Sequence, residues 1–115
     1  MVLVLSRDAV AAALLGFLVE TLGYDVRFAQ PPESASATLR RVRPRICLVD
    51  CADPQSCGEE FVGHATMRGV SVVIFGTRET LDRVREVARQ HRIETLLMPV
   101  QLGALESALI RAQGE

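Results

Sequence analysis

The sequence predicts an α/β domain in which a five-stranded parallel sheet is covered by helices on both faces. Along 115 residues, five short apolar runs alternate with five helical patterns. Strict alternation with short connections is typical of parallel strands joined by right-handed crossovers. The runs "VLVL", "ICLV" and "VSVVIF" are apolar almost throughout, as in strands that are buried on both faces.

The five predicted strands contain mostly β-branched and apolar residues. They are Val2–Leu5, Asp25–Ala29, Ile46–Asp50, Val70–Phe75 and Glu94–Met98. Because the carboxyl ends of parallel strands meet at one edge of the sheet, we expect the ligand crevice there. The residues expected to line this crevice are Ser6, Arg7, Asp8, Asp50, Asp53, Gly76, Thr77, Met98 and Pro99.

The first two helices are predicted from apolar residues at helical spacing. The first spans about Asp8 to Leu22 and ends before Gly23, since glycine commonly follows a helix. Its sheet-facing stripe is expected to be Val10, Leu14, Phe17 and Leu18. The second is expected to begin at Pro31 and Pro32, because proline suits the first turn of a helix. Its inner residues are expected to be Leu39 and Val42.

The other three helices follow the third, fourth and fifth strands. The third is predicted over Glu59 to Met67, with a weak apolar pattern. The sheet-facing residues of the fourth and fifth helices are Leu81, Val84 and Ala88, then Leu102, Leu105 and Leu109. On the fourth helix, Glu79–Arg83 and Glu86–Arg89 are expected to be surface pairs.

Composition and charge exclude several classes of protein. A net charge of -1 provides no general attraction to nucleic acid or anionic lipid, and no apolar stretch is long enough to span a membrane. The N-terminal "MVLVLSRD" lacks the basic region of a signal peptide, so we expect a cytoplasmic protein. All 13 basic residues are arginine, which excludes any mechanism that requires a lysine of this chain.

Two clusters allow a functional and a structural interpretation. Cys47 is expected in the core, whereas Cys51, Cys57 and His64 could form a redox or zinc site, although their spacing matches no standard zinc pattern. Four arginines near the end of the second helix could contact phosphates, but more often such residues offset the helix dipole. They are Arg40, Arg41, Arg43 and Arg45.

Over essentially the whole chain, the loops at the carboxyl edge resemble those of response-regulator receiver domains. "ICLVDCADPQSCG" is similar to that family's third strand and following loop, with Asp50 at the phosphoacceptor position. "LLMPVQLGALESAL" is similar to its fifth strand and last helix, and "ATLRRVRPRICLVD" to its second helix and third strand. The resemblance implies a single receiver-like domain over residues 1–115, with a flavodoxin-like (βα)5 three-layer sandwich and sheet order 2-1-3-4-5.

The chain departs from the family at the metal site. Receivers bind Mg²⁺ through two acidic residues after the first strand together with the acceptor aspartate. Ser6 and Arg7 stand at the acidic pair, so only Asp50 is retained. Asp8, one residue later, could be a displaced metal ligand, but the more common role of an aspartate at this place is to cap the first helix.

The groups that would hold a phosphoryl group are also replaced. Gly76 stands at the family's hydroxyl position, with Thr77 one residue late. Met98 stands at the lysine position and Thr95 at the aromatic switch position. A carboxylate that attacks a phosphate needs positive charge to offset the repulsion between them. In the family the metal and the lysine supply this charge, and the residues replaced here are the metal ligands and the lysine.

The resemblance and these departures imply a degenerate receiver. We expect a signalling module that binds proteins in a two-component or phosphorelay system, forms the regulatory end of a larger protein, is not an enzyme, and needs no cofactor. The expected partner surface comprises the fourth helix, the fifth strand and the fifth helix, and a homodimer stays open. Neither nucleic acid nor a membrane is expected to bind.

Two alternatives stay open. One is a functional receiver that is phosphorylated on Asp50 in the presence of Mg²⁺ bound by Asp8 and Asp50. The other is a small-molecule-binding flavodoxin-like domain, although "SRDAVAAAL" lacks the Ser/Thr-rich phosphate loop of a flavin site.

The resemblance also leads to two geometric predictions. The Met98–Pro99 peptide is expected to be cis, as is usual at this position of receivers. Arg7 is expected to form a bidentate pair with Asp50 and to occupy the place of the metal. Reverting Arg7→Asp alone should leave phosphotransfer weak, whereas Arg7→Asp with Met98→Lys should recover part of it.

Overall fold

The computed structural model describes residues 1–30, 32–52 and 58–114. The strands are β1 (Val2–Leu5), β2 (Val26–Phe28), β3 (Ile46–Asp50), β4 (Ser71–Gly76) and β5 (Glu94–Leu97). The helices are α1 (Ala9–Thr21), α2 (Ala35–Val42), α3 (Glu59–Met67), α4 (Arg78–Arg83), α5 (Arg85–His91) and α6 (Leu102–Gly114). All neighbouring strands are parallel, in the order β2-β1-β3-β4-β5, which confirms the predicted topology.

The sheet separates two apolar layers. On one face, β-strand residues pack against Leu15 and Val19 of α1 and Leu105 and Leu109 of α6. On the other face, alternate strand residues pack against Leu39 of α2 and against residues of α3. The alternation of side chains along each strand thus feeds both layers, which is why the central strands are apolar throughout.

The predicted inner stripe of α1 is wrong at three of its four residues. Val10, Leu14 and Phe17 are 78%, 43% and 66% exposed, whereas Leu15 and Val19 are completely buried. Leu18 packs against the core as predicted. Because the segment "AVAAALLGFLV" is apolar all round, its periodicity did not distinguish the face toward the sheet from the face toward solvent.

Several element boundaries also differ from the predictions. The second helix begins at Ala35 rather than at the two prolines, since the Ser34 hydroxyl caps it by accepting a hydrogen bond from the Ala37 amide. Pro31 lies outside the described residues. The strand β2 is shorter than predicted, β4 begins and ends one residue later, and β5 ends at Leu97.

The predicted fourth helix is two helices, α4 and α5. They meet at Val84, whose φ of -107° and ψ of 10° lie outside the helical region. The predicted inner residues Leu81, Val84 and Ala88 still contact the core or are buried. In α6, Ala108 is buried in place of the predicted Leu102, which is 40% exposed. No helix in these described ranges is long and apolar enough to cross a bilayer.

Candidate functional site at the carboxyl edge

Asp50 lies at the carboxyl edge of the sheet, as the last residue of β3. The neighbouring β1 ends at the same edge, and Ser6 follows it directly. The Ser6 hydroxyl donates a hydrogen bond of 2.7 Å to Asp50 Oδ2, and the Ala52 amide donates one of 2.9 Å to Oδ1. Each carboxylate oxygen of the expected phosphoacceptor therefore accepts a hydrogen bond from within the chain.

Asp8 caps α1. Its Oδ1 accepts hydrogen bonds from the Val10 and Ala11 amides at 3.0 and 3.2 Å. The Ser6 hydroxyl in turn accepts one from the Asp8 amide at 3.1 Å, which joins the cap to the group that contacts Asp50. The helix-capping interpretation of Asp8 is thus confirmed, and its carboxylate serves the otherwise unsatisfied amides of the first helical turn.

Arg7 is exposed at this edge, between Ser6 and Asp8. The predicted contact of its guanidinium with Asp50 stays a prediction. The Ser6 hydroxyl, one residue earlier, donates to Asp50. Sequence reasoning placed Ser6 in the crevice but did not predict this hydrogen bond. A serine beside the acceptor position could have indicated it, since a hydroxyl donates readily to a carboxylate.

The position of the family's phosphate-binding hydroxyl is filled by other side chains. Gly76 is the last residue of β4, not a loop residue as predicted. A Cβ atom at Gly76 would lie 2.3 Å from Cys51 Sγ and 2.6 Å from Thr80 Oγ1. A serine or threonine therefore cannot stand at Gly76 while Cys51 and Thr80 keep their positions, because these distances are far below van der Waals contact.

Cys51 and Thr80 are the residues of this edge that sequence reasoning missed. Cys51 is 8% exposed, and its amide donates to the Phe75 carbonyl at 3.0 Å. Burial raises the pKa of the Cys51 thiol, a hydrogen bond with Thr80 partly offsets this, and the nearby Asp50 carboxylate raises it further. The glycine at the hydroxyl position was the available signal, because a missing Cβ often marks close approach of other groups.

Thr77 caps α4 with its side chain. Its hydroxyl accepts a hydrogen bond from the Thr80 amide at 3.3 Å and lies 3.0 Å from the Thr80 hydroxyl. Thr77 therefore lies at the carboxyl edge as predicted, but its hydroxyl forms hydrogen bonds with the first turn of α4.

The loop after β5 has the predicted backbone shape, since the Met98–Pro99 peptide is cis. The Met98 amide donates to the Gly76 carbonyl at 2.8 Å, and the Met98 side chain packs against the core layer beneath α1 and α6. Thr95, at the aromatic switch position, is exposed on β5. The Met98 side chain thus contributes to apolar packing.

Two of the sequence-predicted residues cannot be placed. Asp53 and Cys57 lie outside the described residues. Cys47 is completely buried, which confirms its expected core position. His64 accepts a hydrogen bond of 2.9 Å from Arg68 Nε one helical turn away. Of the proposed redox or zinc cluster, the described members therefore have separate local partners.

The possible ligands among the described residues do not match the Mg²⁺ site that the fold family implies. Mg²⁺ binds oxygen ligands in strict octahedral geometry, commonly with carboxylates in the first shell. Here Asp50 accepts from Ser6 and Ala52, Asp8 caps a helix, and Arg7 adds positive charge beside them. Within residues 1–30, 32–52 and 58–114, no three His, Cys, Asp or Glu side chains are close enough to hold a metal ion.

Comparison of the whole structure with solved structures identifies receiver domains. The N-terminal signal receiver domain of a two-component response regulator from Bacteroides fragilis superposes with a TM-score of 0.80 at 17% identity, over 99% of this chain and 96% of that one. The Vibrio cholerae chemotaxis protein CheY4 superposes with a TM-score of 0.77 at 19% identity, over 96% of each chain. A pilus assembly-related protein from Burkholderia pseudomallei gives a TM-score of 0.74 at 24% identity, over 97% of this chain and 87% of that one.

By sequence alone, no protein-family model matches the chain and no curated protein matches it. At the identities found, the likeness to the solved structures concerns the fold. The strand order, the parallel pairing and these superpositions agree, and the chain therefore has the flavodoxin-like α/β fold of response-regulator receiver domains.

Proposed function

We propose that this chain is a degenerate receiver domain, which acts in signalling by binding proteins and not by Mg²⁺-dependent phosphorylation of Asp50. The observation that carries the proposal is the packing at Gly76. The space in which a receiver presents its phosphate-binding hydroxyl contains the Cys51 thiol and the Thr80 hydroxyl. A phosphoryl group on Asp50 would have to displace groups that are packed between β4 and α4.

The surroundings of Asp50 support the same proposal. The carboxylate accepts hydrogen bonds from Ser6 and Ala52, so its two oxygens are engaged in the resting chain. Phosphoryl transfer to a carboxylate depends on positioning and on positive charge that stabilises the transferred group. Met98 stands at the lysine position and packs on the core. Among the described residues, no group of three His, Cys, Asp or Glu side chains is close enough to bind Mg²⁺.

The partner surface that we propose is formed by α4, α5, β5 and α6. It lies at one end of the sheet, because β5 is an edge strand. Between β5 and α6 is a shallow cavity of about 330 Å³, lined by Leu97, Pro99 and Ala104 among others. Leu97 is 48% exposed there. An edge strand with an exposed leucine is suited to contact with another protein, since such edges readily add partners.

Phosphotransfer to Asp50 is the decisive experiment for this proposal. Acetyl phosphate with Mg²⁺ would transfer its phosphoryl group to the Asp50 carboxylate and release acetate if the site were active. Intact-mass measurement should detect no phosphorylated chain, and the same result is expected for Asp50→Asn. Ready labelling of the unmodified chain, lost in Asp50→Asn, would show that the functional-receiver alternative is correct.

A restored variant provides the positive control. Arg7→Asp with Met98→Lys supplies one acidic ligand and the lysine, and we expect weak labelling. Adding Cys51→Ala and Gly76→Thr removes the thiol and introduces the hydroxyl, and labelling should increase. If the added pair has no effect while the first pair labels fully, the packing at Gly76 is not what closes the site.

The oligomeric state tests whether a second copy uses the β5 surface. Sedimentation velocity over a range of concentrations, on the unmodified chain and on Leu97→Glu, measures self-association directly. A dimer that Leu97→Glu dissociates would identify a second copy as the partner of this surface. A monomer at all concentrations would leave a different protein as the proposed partner.

A further inference from the structure

Arginine side chains surround the opposite, amino-terminal edge of the sheet, where the strands begin. Arg43 and Arg68 follow α2 and α3, Arg45 and Arg92 stand in the connections before β3 and β5, and Arg111 lies in the last turn of α6. We call these five residues the arginine edge. No carboxyl-edge residue discussed above belongs to it.

One cavity at the arginine edge has a volume of about 470 Å³. Its lining includes Ser71, His91, Arg92 and Arg111. The lining thus combines two guanidinium groups and an imidazole with one carboxylate, that of Glu94, which pairs with Arg111 at 2.9 Å. Such a set consists mainly of hydrogen-bond donors and suits an anion.

Two smaller cavities adjoin the cavity of about 470 Å³. A cavity of about 340 Å³ shares Ser71 with it and is lined by Arg45. A cavity of about 230 Å³ shares Val70 with it and is lined by Arg43 and Arg68. Because neighbouring cavities share a lining residue, the three lie side by side, each with at least one arginine, and we call them together the groove.

The guanidinium groups of the groove have few carboxylate partners. Arg111 pairs with Glu94 at 2.9 Å, and Arg68 donates to His64. In the described part of the chain, no carboxylate forms an ion pair with Arg43, Arg45 or Arg92. These three arginines, together with Arg68, give the groove four cations that lack an acidic partner among the described residues.

The helix dipoles offset only part of this charge. The helices α2, α3, α5 and α6 end at this edge, and each C-terminus carries about half an elementary negative charge. Four such ends compensate about two of the four cations, so about two positive charges remain. The chain as a whole has a net charge of -1. The groove is therefore a local positive region in a slightly acidic protein.

Two of the arginines occupy backbone conformations that favour glycine. Arg43 has φ 53° and ψ 57°, and Arg92 has φ 54° and ψ 49°. At two other helix ends the chain has the expected glycine in such a conformation, namely Gly23 with φ 94° and Gly69 with φ 77°. A left-handed residue with a Cβ atom is strained, and where strain is retained it points to a role for the side chain.

We propose that the arginine edge binds an acidic peptide segment of a partner protein. Each of the three cavities has its own arginine, so the cations match carboxylates spaced along an extended segment better than one small anion. Arginine is suited to this role because its planar group binds carboxylates in a bidentate manner. The inference rests on the proposed function as a protein-binding module, and adds a second surface at the edge opposite to Asp50.

Nucleic acid fits this groove less well. None of the residues that line the three cavities is Phe, Tyr or Trp, so bases would have no aromatic side chain on which to stack. A residual charge of about two is also small for a surface that must neutralise several phosphates.

The experiment measures binding of a labelled peptide of alternating glutamate and glycine by fluorescence anisotropy at low salt. A peptide with glutamine in place of glutamate is the probe control. Two double variants are compared: Arg43→Gly with Arg92→Gly, and, as the matched control, Arg27→Gln with Arg78→Gln. Both remove two positive charges, but Arg27 and Arg78 are exposed residues outside the groove.

We expect the unmodified chain to bind the glutamate peptide in preference to the glutamine peptide, and added salt to weaken this binding. Arg43→Gly with Arg92→Gly should weaken binding about three- to tenfold, while the control variant should change it less than about twofold. The glycine variant should fold, because glycine suits both backbone conformations. Arg45→Gln, at a residue with ordinary backbone geometry, should weaken binding as well.

Three results would overturn the inference. They are equal affinity for the two peptides, equal loss in the two double variants, and tighter binding of a single-stranded oligonucleotide of the same charge. None of them bears on phosphotransfer to Asp50, so failure here and failure of the proposed function are distinguishable.

Discussion

The two edges of this sheet differ in how their polar side chains are used. At the carboxyl edge, Asp8 and Thr77 cap helices, and Ser6 donates a hydrogen bond to Asp50. The Cys51 thiol and the Thr80 hydroxyl both pack against Gly76. At the amino-terminal edge, arginines surround open cavities, and three of them have no carboxylate partner among the described residues. Local caps and hydrogen bonds thus occupy the polar groups of the carboxyl edge, whereas the amino-terminal edge keeps arginines without a carboxylate partner among the described residues.

The topology explains why charges and caps separate in this way. In a parallel α/β sheet every helix runs antiparallel to its strands, so helix N-termini meet at the carboxyl edge and C-termini at the other. N-termini require acceptors such as the Asp8 carboxylate, whereas C-termini are stabilised by cations. The arginine edge goes beyond this requirement, because two of its arginines stand in a conformation where glycine would end the helix without strain.

The largest change in the free energy of unfolding is expected when the packing at the carboxyl edge is disrupted. Gly76→Ala places a Cβ atom against Cys51 Sγ and Thr80 Oγ1, and overpacking of this kind should lower the free energy of unfolding by about 1–3 kcal/mol. Urea unfolding measures it. Cys51→Ala should restore part of the loss in the double variant, giving a favourable coupling energy.

Gly63→Ala is the control for this substitution. Gly63 lies in α3, where an added Cβ would meet nothing within 4 Å, so alanine should raise the free energy of unfolding by about 0.5–1 kcal/mol. If Gly76→Ala is as stable as the unmodified chain, the space beside Asp50 is open and the site is less filled than proposed.

The next effect concerns the cap of α1 that Asp8 forms. Asp8→Ala should lower the free energy of unfolding by about 1 kcal/mol, because the Val10 and Ala11 amides lose their acceptor. Asp8→Asn, which keeps an oxygen acceptor, should lose much less. Thermal unfolding with and without Mg²⁺ completes the test, and a Mg²⁺-dependent stabilisation that Asp8→Ala removes would identify Asp8 as a ligand.

A smaller effect of opposite sign is expected at the arginine edge. Arg92→Gly relieves the left-handed strain of the residue after α5 and should raise the free energy of unfolding by about 0.5–1 kcal/mol. Arg27→Gly, in the strand β2, should instead lower it by about 0.5–1 kcal/mol, because glycine is unfavourable within a strand. A loss of stability in Arg92→Gly would mean that the arginine is there for stability and not for binding.

The smallest effect separates a paired arginine from the unpaired ones. Arg41 donates to both carboxylate oxygens of Glu33, at 2.6 and 2.9 Å, and these hydrogen bonds, with one from the Gln30 amide, lower the pKa of Glu33 from 4.5 to about 2. A carboxyl whose folded pKa is lowered stabilises the fold fully above its ordinary pKa. This stabilisation is therefore lost as the pH falls from about 4.5 toward 2.

The measurement is the free energy of unfolding as a function of pH for the unmodified chain and for Glu33→Gln. The variant should be less stable near neutral pH and should lose less stability across that acidic window. Glu106→Gln, an exposed glutamate of α6, is the matched control. An unchanged pH profile in Glu33→Gln would show that solvent screens the pair completely.

Much of the fold could be predicted from the sequence, and the misses have identifiable causes. The strand order and the span of α3 are confirmed because alternation and apolar runs carry that information. The prediction of the inner face of α1 was wrong because Val10, Leu14 and Phe17 are as apolar as the residues that pack on the sheet. The break at Val84 between α4 and α5 left no signal in the apolar pattern, which continues across it.

The candidate site was predicted in position but not in its contacts. Ser6, Asp8, Asp50, Thr77 and Met98 lie at the carboxyl edge as expected, because parallel strands end together. The role of Cys51 and Thr80 was not foreseen, because it depends on the close approach of a thiol and a hydroxyl to one glycine. A glycine in a sequence shows that space is available but not which atoms occupy it.

Apolar patterning was sufficient to predict the parallel sheet and the edge at which Asp50 lies, and residue identity alone excludes a lysine at that edge. Which donors reach Asp50, which face of α1 is buried, and that Arg43, Arg45 and Arg92 line adjoining cavities became known from the three-dimensional structure. This difference arises because the contacts of a site join residues that are far apart in sequence. Patterns along the chain report local preferences, whereas a site depends on distances of a few ångströms between residues that are far apart in sequence, and packing sets those distances.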